Sequence, residues 1–490
     1  MSTMHTKAQR PKEPPSTGRS QGSAMRVLFV NPPIPEYFYN REFYFPSSLL
    51  YLASALRKQG DEPRILDFKT FQRGPSDPPR SFYADTLIRT IADFQPDLIG
   101  FGSLFSGNFP DLLRLTEIAK QHYPDIPNVI GGIHSTLYTQ EILDHCPSID
   151  SIVLGEGEGT VVGITEAMKH RAGFEGIDGF AFRKAGAVVI HPKTTYIHDV
   201  DALPFPAYDL IRLEDYHVDT SGWHNPKGLP IHTSVPIISS RSCPNRCSFC
   251  SMYKVMGPRW RPRSAANVLD EISLVYHRYA HRHFSFMDDN VTLGKPRMIE
   301  ICKGILERGL DIQFETPNGV SIKTIDEEVL DAMVAAGLVR ISLAIESGSE
   351  FIRNRVMKKR LSDEKIYEVL DLTKRYPQLF VNVFFLIGMP EETSETLDAT
   401  YAMIERIHAD KSIVMNLVPF PGTAVFDQAV RDDLLVGVEK DKLYLADDRY
   451  FTNYDRVFLK PYALELEDLM EFRQKVGRLL EEQKRAGLCR

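Results

Sequence analysis

Three cysteines within eight consecutive positions are the residues whose type and spacing point most directly to chemistry. They are Cys243, Cys247 and Cys250, in the segment CPNRCSFC. Three thiolates at these intervals can bind one face of an iron–sulfur cube, because such clusters prefer soft sulfur ligands. No fourth cysteine lies nearby. The fourth iron would keep an open coordination position, which a catalytic cluster needs.

A structural zinc site is the alternative interpretation of this segment. Zinc normally takes four protein ligands, often as pairs separated by two residues, and no fourth Cys or His occupies a comparable place. The iron–sulfur interpretation is therefore favoured. The other cysteines are not expected to join the cluster, because Cys146 and Cys302 lie on helical faces as small buried hydrophobes and Cys489 lies in a charged tail.

Composition limits the class of protein. With 490 residues, 43% of them hydrophobic and 25% charged, the chain can bury at least two cores and should divide into domains. A net charge of −7 and a pI near 6.1 give no electrostatic reason to expect nucleic acid or an anionic membrane. No apolar run approaches the roughly 18 residues of a membrane span. Six cysteines are too few for a disulfide framework, so we expect a metal site in a reducing compartment, by default the cytoplasm.

The first half of the chain alternates short apolar runs with helical patterns. Residues 1–24, rich in Ser, Pro, Lys and Arg, are expected to be a disordered leader or a mis-set start. Residues 25–192 predict an α/β domain with a Rossmann-like, doubly wound parallel sheet and a hairpin over 179–192, because strands that are apolar throughout need helices on both faces. The five strands are predicted at 26–30, 63–68, 97–103, 128–132 and 151–158.

Turns rich in glycine or polar residues follow four of these strands. Ligands bind beyond the carboxyl ends of parallel strands, so these turns should line one crevice. The candidate ligand-binding residues are Asn31, Pro32, Ser103, Gly131, Gly132, His134, Gly155, Glu156, Gly157 and Glu158.

A second alternating series begins after a linker at 193–230. Six strand–helix units within residues 231–430 predict a partial parallel barrel, smaller than the usual eight units, with its chemistry at the carboxyl ends of the strands. The cysteine segment directly follows the first strand. Residues 431–490 are charged and predict a terminal helical cap or docking segment. The strands are predicted near 235–240, 283–288, 311–316, 339–346, 379–387 and 411–418.

The C-x3-C-x2-C spacing, with an aromatic residue before the last cysteine and a six-unit barrel, resembles the radical S-adenosylmethionine (SAM) superfamily. Further matching segments follow later strands: 287–290 (MDDN), 316–319 (TPNG), 342–349, 388–390 (GMP) and 419–423 (PFPGT). The resemblance implies that the amino and carboxylate groups of SAM chelate the open iron, that Phe249 lies beside the adenine and that Glu346 accepts a hydrogen bond. The residues implied for SAM binding are Phe249, Asp288, Asn318, Ser342, Glu346 and Gly388. The plainer alternatives are turn glycines for Gly348 and Gly388, and helix N-caps for Asp288 and Asp289.

The amino-terminal domain resembles the cobalamin-binding domain of class B radical SAM enzymes. The resemblance rests on the NPP segment, P-x2-L-x-Y-L-A-x2-L at 46–56, the Gly-Gly-x-His turn and Gly-Glu-Gly-Glu at 155–158. It places the corrin between the two domains. A flavodoxin-like nucleotide-binding domain is the alternative.

The lower face of the cobalt is expected to lack a protein histidine. The D-x-H-x2-G motif of many cobalamin domains is absent from residues 25–190, and the nearest imitation, at Asp215 and His217, lacks the glycine and lies in the linker. His134 is either a substitute ligand or, as we favour, a hydrogen-bonding loop residue. Glu156 and Glu158 are expected either to cap the next helix or to contact the corrin amides.

Together the resemblances imply methylation of an unactivated carbon or of phosphorus, through a 5'-deoxyadenosyl radical and methylcobalamin. They also imply an electron donor such as flavodoxin or ferredoxin. A cyclase or rearrangement enzyme with the same cofactors is the runner-up, and a non-catalytic cobalamin or redox sensor is a third possibility. The substrate is expected to be a small natural product, lipid or tetrapyrrole precursor. Its pocket is predicted to include the aromatic and basic residues Phe384, Tyr253, Trp260 and Arg259.

Overall fold

The computed structural model describes residues 22–34, 45–72, 78–102, 106–446 and 455–488. Most of the predicted leader, together with Ser103 and Cys489, lies outside these residues. Within them, no helix is both long and apolar enough to cross a membrane.

The amino-terminal domain is built on a seven-stranded sheet. Its first five strands are parallel and the last two form an antiparallel hairpin at one edge, so the predicted doubly wound sheet is confirmed and the hairpin extends it. The sheet order is β2-β1-β3-β4-β5-β6-β7, with β1 Arg26–Asn31, β2 Glu62–Asp67, β3 Leu98–Gly102, β4 Asn128–Gly131, β5 Ser151–Val153, β6 Phe180–Lys184 and β7 Ala187–His191. The helices are α1 Ser47–Lys58, α2 Arg80–Phe94, α3 Phe109–His122, α4 Ile133–Leu137, α5 Thr139–His145 and α6 Glu158–His170.

Helices cover both faces of this sheet, as the fully apolar strands require. On β1, Leu28 and Val30 pack into a core with α2, α3 and α5, whereas Val27 and Phe29 pack into a second core with α1 and α6. Because neighbouring residues of one strand point to opposite faces, the sequence of β1 dictates this division.

The second domain is an open, parallel six-stranded barrel. The sheet order is β15-β14-β13-β12-β11-β8, with no pairing between β15 and β8 among the described residues. These strands are β8 Val235–Ile237, β11 His283–Phe286, β12 Gln313–Val320, β13 Leu338–Glu346, β14 Phe380–Ile387 and β15 Lys411–Asn416. A short antiparallel ribbon, β9 Ser240–Arg241 with β10 Arg261–Pro262, stands beside β8. The helices are α7 Met252–Val255, α8 Ala265–Tyr279, α9 Lys295–Glu307, α10 Glu327–Ala335, α11 Asp363–Thr373, α12 Ser394–Arg406, α13 Ala424–Arg431 and α14 Leu466–Arg485.

The predicted linker packs across the amino-terminal end of the barrel. The ring of Trp223 lies 5.4 Å from that of His283, at the start of β11. The Nζ of Lys227 lies 2.9 Å from Asp311 Oδ1, just before β12. The linker thereby covers the end of the barrel opposite the cysteine segment.

The carboxyl-terminal part of the chain contacts both domains. Helix α14 buries Leu469 and Phe472 in the barrel core, which confirms the helical segment. The residues before it, 432–446, are mostly irregular rather than helical, and Leu443 is buried in the core of the amino-terminal domain. This segment leaves the barrel because its apolar residues complete the other domain.

Gly348 provides a test of the packing after β13. A Cβ there would lie 2.4 Å from Ala399 O, so the predicted turn glycine is required by close backbone approach. We expect Gly348→Ala to lower the free energy of unfolding by about 1–3 kcal/mol, because backbone atoms must move. Urea unfolding followed by circular dichroism measures this effect.

Gly159→Ala is the matched control for this substitution. A Cβ at Gly159, in the first turn of α6, meets nothing within 4 Å. This variant should be as stable as the parent or more stable by up to about 1 kcal/mol, because Ala favours helix over Gly. Equal stability of the two variants would contradict the packing account.

Candidate functional site

The cysteine loop begins directly after β9 and is anchored on both sides. Ser242 adopts a left-handed conformation with φ 67° and its hydroxyl donates a hydrogen bond to Gly257 O. Ser248 N–H donates to Met357 O at 3.2 Å, and Val425 N–H donates to Ser248 O at 3.1 Å. The loop is therefore tied to the segments that follow β13 and β15.

The three thiols lie near enough to influence one another. Burial raises the pKa of Cys250 to about 12, and the charges of Cys247 and Cys243 contribute to that rise. Burial also raises the pKa of Cys247, against the nearby Lys359 cation. Thiolates in such surroundings need positive charge to form, and the iron ions of a cluster would supply it. The donor set thus fits an iron–sulfur cube.

A site for a single metal ion would need at least three ligand side chains directed at one point. Among the described residues, no three Cys, His, Asp or Glu side chains are arranged to hold one metal ion. Cys146 and Cys302 lie buried in the two domain cores, as predicted.

The segment after β11 supports the start of the cysteine loop. Burial raises the pKa of Cys243, and the nearby side chains of Asn290 and Asn245 oppose that rise. Asp288 is 3% exposed and accepts hydrogen bonds from Ser239 N–H at 3.1 Å and Ser239 Oγ at 2.8 Å. Its carboxylate is therefore engaged within the protein, and its SAM contact stays a prediction.

Asp289 is near enough to the cysteines for its charge to raise the pKa of the Cys243 and Cys250 thiols. Burial, and then the charge of Asp288, raise the pKa of Asp289 to about 6. Neither aspartate caps a helix, since α9 begins at Lys295 after Gly294, so the N-cap alternative is wrong.

Glu346 ends β13 beside the cluster loop. It has φ 75° and forms an ion pair with Lys359, whose charge also acts on the Cys247 thiol. The turn after it is held by Arg353, which is fully buried and donates to Ser347 O at 2.7 Å. Nothing in the sequence indicated this role for Arg353, because the side chain donates to backbone carbonyls, which every residue type has.

Gly388 begins the turn after β14 with φ 90°. Its N–H donates to Glu392 Oε2 at 3.0 Å, and Met389 N–H donates to the same oxygen at 3.4 Å. Glu392 is buried, and burial raises the pKa of its carboxyl to about 7. Sequence reasoning missed Glu392, although a carboxylate four residues after a turn glycine was a possible signal.

The remaining residues implied for SAM are Phe249 in the cysteine loop, Asn318 on β12 and Ser342 on β13. Phe249 packs with the apolar cluster that contains Met389 and Val425. Asn318 Nδ2 donates to Met287 O at 2.9 Å, and buried Ser342 accepts from Asn382 Nδ2 at 3.3 Å. Their contacts with SAM stay predictions.

The four residues predicted to line the substrate pocket lie in different surroundings. Phe384 lies beside Gly319, where a Cβ would be 3.6 Å from its ring. Trp260 instead packs against Gly294 and the Arg297 guanidinium, which lies 5.4 Å from its ring centroid. Tyr253 lies beside Arg246 and Lys254, and Arg259 is exposed.

At the crevice of the first domain, the ends of β1 and β2 form a buried polar group. Asn31 Nδ2 donates to Asp67 Oδ1 at 2.9 Å, and the Tyr216 hydroxyl donates to Asp67 Oδ2 at 2.6 Å. Lys69 is also buried there; burial lowers the pKa of its ammonium group while Asp67 opposes that shift. Through Tyr216, the polar end of the crevice is joined to the linker. Pro32 directly follows Asn31 at the end of β1.

His134 is fully buried between the rings of Phe109 and Tyr138. Its Nε2 lies 2.8 Å from Tyr444 O, and burial lowers the pKa of the imidazole to about 4. Its ring nitrogen is engaged by a backbone carbonyl, as we favoured, but His134 lies in α4 rather than in a loop. Gly131 and Gly132 precede it at the end of β4, with Gly132 at φ 128°.

Glu156 and Glu158 bind arginines of the barrel. Arg241 NH1 lies 3.1 Å from Glu156 Oε1, Arg241 NH2 contacts Glu158 Oε1, and Arg261 NH1 lies 2.7 Å from Glu156 Oε1. Neither sequence expectation included these partners. The N-cap of α6 is Gly157 and no side chain caps it, so the helix-capping alternative is wrong, and the contact with the corrin amides stays a prediction. Gly157 packs against Leu52, which leaves little room for a side chain.

The same turn reaches the segment that follows the cysteines. A Cβ at Gly155 would lie 2.7 Å from Val255 O in α7. The cysteine loop and the turn at 155–158 are therefore neighbours in space.

Family models match both domains of the chain. The radical SAM superfamily matches residues 237–404, and the B12 binding domain matches residues 42–165. The first match includes all three cysteines of the loop. The second ends beyond the 155–158 turn.

Several curated relatives extend over most of the chain. An uncharacterized methyltransferase of Pyrococcus horikoshii is 29% identical over 87% of this chain and 90% of its own length. Cytidylyl-2-hydroxyethylphosphonate methyltransferase of Streptomyces wedmorensis is 27% identical over 85% of this chain and 83% of its own. Anaerobic magnesium-protoporphyrin IX monomethyl ester cyclase of Rubrivivax gelatinosus is 26% identical over 91% and 76%.

A solved structure agrees with the fold. The radical SAM methyltransferase TsrM from Kitasatospora setae, with cobalamin and a [4Fe-4S] cluster bound, superimposes with a TM-score of 0.67 at 19% identity, over 85% of this chain and 76% of that one. The matched domains imply a [4Fe-4S] cluster, SAM and cobalamin as cofactors. The chain thus belongs to the cobalamin-binding radical SAM enzymes, with a B12-binding domain followed by a radical SAM domain.

Proposed function

We propose that this enzyme methylates an unactivated carbon, or phosphorus, of a small molecule. The observation that carries the proposal is the direct contact between the cysteine loop's flanks and the turn at 155–158, at the carboxyl end of β5. This contact sets the cobalamin crevice beside the mouth of the barrel. The methyltransferases among the relatives support the same reaction.

The chain's residues bind and orient the reactants. When bound, the cluster and SAM supply a deoxyadenosyl radical that removes a hydrogen atom, and cobalamin carries the methyl group. Cys243, Cys247 and Cys250 would bind three irons, and Phe249 offers an apolar surface to the adenine. Each methylation consumes two SAM molecules and two electrons, leaving methionine, deoxyadenosine and S-adenosylhomocysteine.

We also propose an acidic one-electron carrier, such as flavodoxin or ferredoxin, as the source of those electrons. Arg246, between the first two cysteines, is exposed, as are Lys254 and Lys323. Lys323 is near enough to lower the pKa of the Cys247 thiol. Complementary charge guides such encounters, and the oxygen-sensitive thiols suit a reducing compartment such as the cytoplasm.

A cyclase reaction is the second candidate, because the cyclase of Rubrivivax gelatinosus resembles 91% of the chain. The two reactions differ in the fate of the SAM methyl group. A cyclase would produce deoxyadenosine without moving that group.

The proposal predicts two half-reactions that need no identified substrate. The reduced protein, loaded with its cluster and cobalamin and given SAM with a CD3 group, should form deoxyadenosine and also cobalamin carrying CD3. Mass spectrometry of the extracted cofactor measures the label. Deoxyadenosine without labelled cobalamin would contradict methylation and favour the cyclase.

A cysteine substitution tests the cluster. Cys247→Ala should lose most bound iron and sulfide and all deoxyadenosine formation, because one iron loses its only protein ligand. Cys302→Ala is the control, since Cys302 is buried in the barrel core and should leave the iron content unchanged. If Cys247→Ala still cleaves SAM, the cluster assignment is wrong.

A further inference from the structure

We propose that Arg241 is a positioning residue that fixes the cluster relative to the cobalamin domain. Arg241 lies two residues before the first cluster cysteine, and it acts through buried ion pairs with Glu156 and Glu158. The consequence for catalysis rests on the proposed methyl transfer. The positional claim does not.

The four charges form one buried unit across the domain boundary. The side chains of Arg241 and Glu156 are 5% and 0% exposed, and those of Arg261 and Glu158 are 7% and 8% exposed. Burial alone would raise the pKa of Glu158, but the Arg241 guanidinium holds it below its usual value. Two cations and two anions therefore neutralise each other in a place that water does not reach.

Both arginines project from a single ribbon. Arg241 on β9 and Arg261 on β10 are direct partners in the antiparallel pair. Arg261 NH1 also donates to Ile197 O at 2.7 Å, and Ile197 N–H donates to Glu156 Oε2 at 2.9 Å. The ribbon, the start of the linker and the 155–158 turn are thereby held in one arrangement.

The contacts lie on both sides of the cysteine loop. Arg241 precedes the loop, whereas Val255, which follows it in α7, meets Gly155 through its carbonyl. The Tyr51 ring of α1 lies 5.5 Å from the Arg241 guanidinium. A single turn of the cobalamin domain therefore contacts the chain before and after the cluster ligands.

Other contacts would keep the domains attached without this unit. Tyr216 in the linker binds Asp67, and the Tyr208 hydroxyl donates to Glu271 Oε1 at 2.7 Å in α8. Loss of the Arg241 ion pairs should therefore loosen the cluster's placement rather than separate the domains. Radical methylation is sensitive to such loosening, because both cofactors must reach one substrate atom.

The test compares Arg241→Met and Arg241→Lys with Glu158→Gln. Arg241→Lys keeps one charge but cannot bridge both carboxylates, and Glu158→Gln retains shape without charge. Arg57→Met is the matched control, because Arg57 forms an ion pair with Asp209 of the linker that is 39% and 45% exposed. Iron, sulfide and cobalamin contents are measured first, so that only fully loaded proteins are compared.

The primary readout is the magnetic interaction between the reduced cluster and cob(II)alamin, measured by electron paramagnetic resonance. We expect this interaction to be weakened and more heterogeneous in Arg241→Met and Glu158→Gln, intermediate in Arg241→Lys and unchanged in Arg57→Met. An unchanged interaction in fully loaded Arg241→Met and Glu158→Gln would overturn the proposal. This readout involves no methyl transfer, so its failure is distinct from failure of the proposed function.

A second readout applies once a substrate is accepted. The ratio of methylated product to deoxyadenosine should fall roughly tenfold or more in Arg241→Met, because misplacement by about 1 Å can cost that much or more. SAM cleavage itself should persist. Equal losses of both products would indicate a structural defect and contradict a positioning role.

Discussion

Four buried charges join the two domains beside the cysteine loop, and the placement of the cluster relative to the cobalamin domain depends on them. Glu156 lies in the turn after β5 and Glu158 begins α6. Arg241 and Arg261 lie on the two strands of the ribbon that precede and follow the cysteine loop. A buried pair is costly to desolvate and costly to break. Its value here is geometric, because it relates two cofactor sites that lie on different sheets.

The rest of the architecture leaves this junction as the place for chemistry. The linker covers the amino-terminal end of the barrel, where Trp223 packs on His283. The carboxyl-terminal segment returns to the first domain and places Tyr444 O on His134. Turns at the carboxyl ends of β11, β13 and β14 surround the cysteine loop, and buried Arg353 and Glu392 fix two of them.

The sequence predicted what local patterns encode. The cysteine spacing indicated the cluster, apolar runs located the strands, and the two matched families agree with both family resemblances. It could not predict the partners of Glu156 and Glu158, because Arg241 lies 85 residues from Glu156 and only the folded chain brings them together. Asp288 resembled an N-cap for the same reason, since its partner Ser239 lies 49 residues away, between β8 and β9. The irregular segment at 432–446 was misjudged because its composition is charged while its few apolar residues belong to a distant core.

In the proposed reaction, the cluster and cobalamin serve one substrate in a single methyl transfer. The most direct test is the stoichiometry of turnover with SAM bearing a CD3 group and an accepted substrate, measured by mass spectrometry. We expect a product in which CD3 replaces one hydrogen, accompanied by equal amounts of deoxyadenosine and S-adenosylhomocysteine. A modified product without the label, formed together with deoxyadenosine alone, would contradict it.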